Sequence, residues 1–270
     1  MDEAIERAKQ TARRRQSDTS ITDFDIRGEL YDLAHRIAPR ARQEELEVLR
    51  ELAEPRPGER TIDIAAGSGF LTEALQQWTG EAPYALDPSR EQLALLHQRV
   101  PRATPLLGLP DDPGLFARRS MPAFDLATSL GGLHHVDDQA TMFANVAKVL
   151  RPGGRFVFGD VSAQTTVARH FDEHVATVCL TGHTARWLSP ASLPDLIRGT
   201  GLQIQLAQVR VLHMRFDSDL QMALFFKGLH AYDVSPDEIV QHLATTLGVT
   251  AHRGQLCLQW PLLFAVLRKD

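Results

Sequence analysis

The sequence predicts an α/β chain: a doubly wound, mostly parallel sheet of seven strands, with helices on both faces and a helical cap. Three observations carry that expectation. Short apolar runs alternate with amphipathic segments from residue 60 to residue 161, as strands joined by crossover helices do. The stretch "TIDIAAGSGFLTEAL", Thr61 to Leu75, switches from apolar strand to amphipathic helix through Ala65, Ala66, Gly67, Ser68 and Gly69, which have almost no side chain. An acid, Asp87, closes the second apolar run, 18 residues after Gly69.

The elements follow in order. Residues 1–20 are polar and read as an arm. From Thr22 to Arg50, Ile26, Leu30, Leu33 and Ile37 recur at helical spacing, and Leu46 and Leu49 continue it after Pro39. "EPRPGER", residues 54–60, ends that helix with two prolines and a glycine. Strands are expected at 60–65, 82–86, 104–108, 124–130, 155–161, 202–216 and 255–267. Helices are expected at 69–79, 90–100, 139–150, 163–181, 219–232 and 235–247, with a capped helix opening at Ser189. Residues 1–58 thus form an N-terminal helical arm or lid, and 59–270 the sheet domain, with cap segments near 163–188 and 217–252.

Composition narrows the classes. Of 270 residues, 43% are hydrophobic and 23% charged, which suits a globular enzyme. A formal net charge of −5 argues against a nucleic-acid partner. Arg13, Arg14 and Arg15 form a local basic run, read as a solvated arm rather than a phosphate patch. Cys179 and Cys257 lie far apart among apolar neighbours, which points to buried thiols and a cytoplasmic location rather than a metal site. No run suits a signal peptide or a membrane span.

The first turn carries the chemistry. In an open parallel sheet, ligands bind at the carboxyl ends of the strands. Small residues there admit a ligand against bare backbone, and the following helix offers unpaired N–H groups. Asp63 sits inside an apolar strand, where an unpaired carboxylate is costly, so it could hold a turn amide or a water bound to a ligand's ammonium group. Asp87 has the spacing at which an acid meets the ribose hydroxyls of a nucleoside. Pro88 and Ser89 would then edge the base pocket.

With "TIDIAAGSG" as first motif and "ALDPS" as second, the chain resembles the class I S-adenosylmethionine-dependent methyltransferases. "FDLATSLGGLHHVDD" and "VLRPGGRFVFGDV" resemble the family's fourth- and fifth-strand motifs. The resemblance covers about Arg60 to Val161. It implies a Rossmann-like fold, S-adenosylmethionine as cofactor and S-adenosylhomocysteine as product. It also implies cofactor contacts from Asp63, Ala65, Gly67, Gly69, Asp87, Pro88 and Ser89, from Asp111 near the adenine, and from Ser129 and Leu130 near the methionine part. By the same resemblance Tyr31, in the N-terminal helix, closes over the cofactor. One departure stands out: the family often has glycine where this chain has Ala65. Either the turn tolerates alanine or the cofactor is displaced.

Other residues are open to two readings. His134, beside His135, is the first candidate for a general base, and His174 the second. His170 and His174, one turn apart, could bind a metal, but no third ligand is obvious, and a solvated or substrate-facing helix is favoured. Asp137 and Asp138 read as caps of the next helix. A dinucleotide-binding turn is the rival for the glycine run, but Thr72 stands where its third glycine belongs. "SLGG" is not the run with which DNA amino-methyltransferases hold a flipped base. The reading is therefore methyl transfer to O, N or C of a small, partly apolar metabolite in secondary or cofactor biosynthesis, with no metal, no membrane and a homodimer left open. A non-methylating use of the same cofactor, or a non-catalytic binding role, is the alternative.

Overall fold

The computed structural model describes residues 1–15, 22–118, 121–252 and 254–270. The chain divides into two compact units. The first comprises 1–45, 164–184 and 211–261; the second comprises 46–163, 185–210 and 262–270.

In chain order the elements are α1 (Asp2–Arg15), α2 (Asp23–Ile37), α3 (Gln43–Ala53), β1 (Thr61–Ile64), α4 (Phe70–Thr79), β2 (Tyr84–Asp87), α5 (Arg90–Arg99), β3 (Thr104–Leu107), β4 (Phe124–Leu130), α6 (Gln139–Val149) and β5 (Leu150–Val161). There follow α7 (Thr166–His170), α8 (Ala176–Val178), α9 (Leu193–Leu196), β6 (Leu202–Phe216), α10 (Asp219–Leu229), α11 (Pro236–Thr246), β7 (Val249–His252) and β8 (Gln255–Lys269). A 3₁₀ turn spans Leu133–His135, and a π-helical turn, Phe171–Val175, joins α7 to α8.

The sheet order is β3-β2-β1-β4-β5-β8-β6. The neighbours from β3 to β5 run parallel, and β8 is antiparallel to β5. This is the doubly wound arrangement the alternating pattern implies: β1 lies between β2 and β4, so the chain reverses direction across the sheet there. Thr61 to Ile64 are all buried, as a strand covered on both faces requires. The second unit's core gathers Ile62, Leu86, Phe124, Phe143, Phe156, Phe158 and Leu263. Arg155 fastens the 54–60 loop to β5. Its Nη1 and Nη2 donate to the two oxygens of Glu59 at 2.9 and 2.7 Å, and its Nε donates to the Ala53 carbonyl at 2.6 Å.

In the first unit α10 lies close to α2. A Cβ on Gly228 would sit 2.6 Å from the Leu30 carbonyl oxygen, so only glycine allows this approach. Within the helical arm expected there, Asp2–Arg15 is a helix, and it buries Ala4, Ile5 and Ala8 rather than being solvated all round. Those residues share one face at helical spacing, and Arg7 ties the helix to Glu29 on α2. Arg13, Arg14 and Arg15 occupy its last turn, where cations favour the helix dipole. Residues 16–20 of the expected arm lie outside the described residues.

Other differences have local causes. The helix read from Thr22 to Arg50 is two, α2 and α3, parted around Pro39. The one opening at Ser189 shortens to the four residues of α9. One strand went unread: β7 pairs with β8 as Val249↔Leu258 and Thr250↔Cys257, making an eighth. Residues 46–58, read with the N-terminal arm, cluster with the sheet unit. Cys179 and Cys257 are buried free thiols. No helix among the described residues is long and apolar enough to cross a membrane.

Gly159, on β5, packs beneath its neighbours. A Cβ there would lie 2.7 Å from Phe264 Cε1 and 2.9 Å from Leu130 Cδ1. Gly159→Ala is expected to cost about 1–3 kcal/mol of overpacking, read as a lower urea midpoint at unchanged slope.

Candidate active site

The candidate residues divide between the units. Tyr31 and His174 belong to the first, and the other eleven to the second. In the second unit the turn after β1 is built from backbone. Ala65, Gly67 and Gly69 have φ of 57°, 53° and 89°, all in the left-handed region. Glycine enters it freely; alanine does so at about 1–2 kcal/mol. The structure thus resolves the departure at Ala65: the alanine itself takes positive φ. Room for its methyl comes from Gly132, where an added Cβ would lie 2.6 Å from the Cβ of Ala65. Gly69 has a second duty, since a Cβ there would meet Leu96 Cγ of α5 at 2.9 Å.

Asp87 fixes the turn from the end of β2. Its Oδ2 accepts from the Gly67 amide at 2.8 Å and its Oδ1 from the Ser89 amide at 2.9 Å. Ser89 in turn caps α5, accepting from the Gln92 amide at 3.1 Å. An ionised carboxylate offers about four acceptor positions, so Asp87 can hold the turn and still receive hydroxyls. Pro88, between them, is half-buried.

Asp63 is buried in β1. Its Oδ2 accepts from the Thr72 hydroxyl at 2.7 Å, and its Oδ1 has no partner. Thr72, at the place of a third glycine, therefore serves as a donor. Burial pushes the Asp63 carboxyl up to about 7, the Thr72 bond opposes this, and nearby Asp87 adds to it. Ser68 and Ser129 are also buried with hydroxyl oxygens unmet. Leu130 is buried beside Ser129 at the end of β4.

Asp111 is engaged elsewhere in the loop, its Oδ2 accepting from the Asp138 amide at 3.0 Å. Asp138 caps α6 by accepting from the Thr141 amide at 3.0 Å, as expected.

His134 sits in the 3₁₀ turn after β4. Its Nδ1 lies 2.6 Å from Oδ1 of the fully buried Asp160. Asp160 Oδ2 also accepts from the amides of Leu133 and His134 at 2.7 and 3.3 Å, and its Oδ1 from the Val161 amide at 2.6 Å. With an acceptor facing Nδ1, the ring proton belongs there, which leaves Nε2 as the basic nitrogen of the neutral ring. The Trp187 ring lies 5.3 Å from the imidazole. Asp160 was missed in the sequence; an acid ending the apolar strand "RFVFGDV" was the available signal.

In the first unit Tyr31 accepts a hydrogen bond from Arg42 Nη1 at 2.8 Å, and its ring lies 4.6 Å from His35. His174 stacks on His242 with centroids 3.4 Å apart. Burial first, then His242, lowers its pKa to about 4, so it is a weak proton acceptor. His170 donates to or accepts from the Tyr232 hydroxyl at 3.0 Å.

A family profile described as a methyltransferase domain matches residues 62–158, from β1 into β5. Residues 62–158 are thus similar to methyltransferase domains, over the stretch that holds the glycine turn, Asp87 and the end of β4. Among curated relatives, the ubiquinone biosynthesis O-methyltransferase of Proteus mirabilis is 28% identical over 52% of this chain and 55% of its own length. The demethylmenaquinone methyltransferase of Corynebacterium kroppenstedtii is 33% identical over 52% of this chain and 58% of its own. The chain thus spans little more than half the length of these relatives. The YcgJ protein of Bacillus subtilis shares the fold, with TM-score 0.60 at 21% identity, covering 84% of this chain and 99% of that one.

The site fits the family's cofactor. Asp63 offers an unmet buried carboxylate oxygen to a cation, and the glycine turn offers bare backbone beside Asp87. The raised pKa of Asp63 sets a sign. A folded value near 7 against 3.8 means its contribution to stability is full below 3.8 and is lost as pH rises to about 7. Asp63→Asn should flatten that fall in unfolding free energy between pH 4 and 7, measured by denaturant titration across pH.

Proposed function

We propose that the protein moves a methyl group from S-adenosylmethionine to O, N or C of a small, partly apolar metabolite. The observation that carries this reading is the pair of buried carboxylates flanking the glycine turn: Asp87 bonded to Gly67, and Asp63 with one oxygen unmet. The relatives' activities, in ubiquinone biosynthesis and on demethylmenaquinone, support an acceptor of biosynthetic, partly apolar character.

Bound S-adenosylmethionine supplies an electrophilic methyl carbon on its sulfonium and leaves as S-adenosylhomocysteine. Asp87 would accept from the ribose hydroxyls, and Asp63 would hold the ammonium end, whose charge would favour its ionised form. Ala65, Gly67 and Gly69 give the backbone floor. Pro88, Ser89 and Asp111 would edge the adenine side, and Ser129 and Leu130 the methionine side. His134 takes the acceptor's proton at Nε2, while Asp160 holds its Nδ1–H and steadies the imidazolium. Positioning and exclusion of water do most of the remaining work. His174, with its depressed pKa, ranks behind His134 as base.

Release of S-adenosylhomocysteine in the presence of hydroxylated aromatic and quinol acceptors tests the reading; turnover without it would favour a non-methylating use of the cofactor. Asp87→Ala should weaken cofactor binding by about 1.5–3 kcal/mol in calorimetry, the scale of charge-assisted hydrogen bonds. His134→Gln should lower kcat by about 10²-fold or more with little change in cofactor affinity.

A further inference from the structure

Two arginines are buried in the unit formed by 1–45, 164–184 and 211–261, and their surroundings differ. Arg42 is matched by charge: Nε and Nη2 both donate to Glu45 Oε2, at 2.9 and 2.6 Å. Among the described residues, no carboxylate pairs with Arg27, on α2. Its Nη1 lies 3.9 Å from the Sγ of Cys179, and its guanidinium carbon lies 5.0 Å from the centre of the Phe24 ring. Its Nε is buried with no acceptor, and the residue is only 9% exposed.

A guanidinium does not lose its proton inside proteins, so this charge persists and calls for an anion. Its neighbours supply none. Cys179 Sγ lies 3.4 Å from the Thr181 hydroxyl. His230 is buried, and its Nδ1 shares the Tyr232 hydroxyl with His170 Nε2, each at 3.0 Å. These groups can donate hydrogen bonds, yet none is a standing negative charge. Phe171 lies 4.8 Å from the His230 ring, and Trp260 stacks at 6.3 Å, so an aromatic wall adjoins the polar group.

We propose that Arg27 anchors a binding site for a small organic carboxylate, with an aromatic or apolar body lying against the neighbouring rings. A planar carboxylate matches the guanidinium fork, and in so dry a setting that pairing discriminates strongly against a neutral isostere. The site stands on its own geometry. It does not depend on the function proposed above.

The test uses the full chain with benzoate and its neutral counterpart benzamide, followed by thermal melting and calorimetry. Benzoate should raise the melting temperature progressively with concentration, and benzamide should not. Arg27→Met should abolish the benzoate response while melting at or above the wild-type temperature, because it replaces an unmatched buried cation with an apolar chain. Arg27→Lys should keep part of the response. A wild-type chain indifferent to benzoate, an equal response to benzamide, or a benzoate shift that survives Arg27→Met would each overturn the proposal. None of these readouts depends on turnover. A chain that binds benzoate but releases no S-adenosylhomocysteine keeps the anion site and loses the methyltransferase reading, and the converse result does the reverse.

Discussion

The hydrogen bond from the Gly67 amide to Asp87 is the constraint on which the candidate site depends. It joins the turn after β1 to the end of β2, two segments 20 residues apart, at a point where neither has bulk to pack with. Two backbone bonds, from the Ala66 amide to the Leu86 carbonyl at 3.0 Å and from the Gly69 amide to the Ala66 carbonyl at 3.1 Å, shape the same turn, and the Asp87 bond adds the side-chain tie. With it, three left-handed backbone positions are held in one arrangement, and a carboxylate is fixed at the mouth of the sheet. The same acid also receives the Ser89 amide, so the start of α5 is set by the group that sets the turn. One short side chain thus fixes the geometry of two βα units.

Asp63 works differently. Nothing about the strand requires an acid there, and burial raises its pKa to about 7. Thr72 steadies one oxygen, and the other is left unmet. A residue that costs the empty fold something, and that would be relieved by a cation, is the mark of a site arranged for a ligand rather than for stability. Arg27 in the other unit shows the same logic with the opposite sign of charge.

Much of this was readable in the sequence because the relevant signals were local. The alternation of apolar strand and amphipathic helix placed β1 to β5 within a residue or two at most ends, and the glycine run and Asp87 marked the turn. The capping role of Asp138 followed from its position alone. What escaped depended on distance in the chain. Asp160 meets His134 across 26 residues, and no spacing rule connects them. The buried face of the helix Asp2–Arg15 was hidden by its polar composition, since only Ala4, Ile5 and Ala8 face inward. β7, four residues long and largely exposed, lacks the apolar alternation that identifies a strand and exists through its pairing with β8.

The contact between Ala65 and Gly132 binds two distant positions into one choice. The methyl group of the first occupies the space that a side chain at the second would need. A chain with glycine at 65 would relieve that clash at 132, leaving the carbonyl oxygen of residue 65, at 3.3 Å, as the nearest atom. Across related sequences the two sites should therefore change together, so that the common glycine of the first motif and the bareness of the fourth-strand loop are alternative ways of keeping one small volume clear.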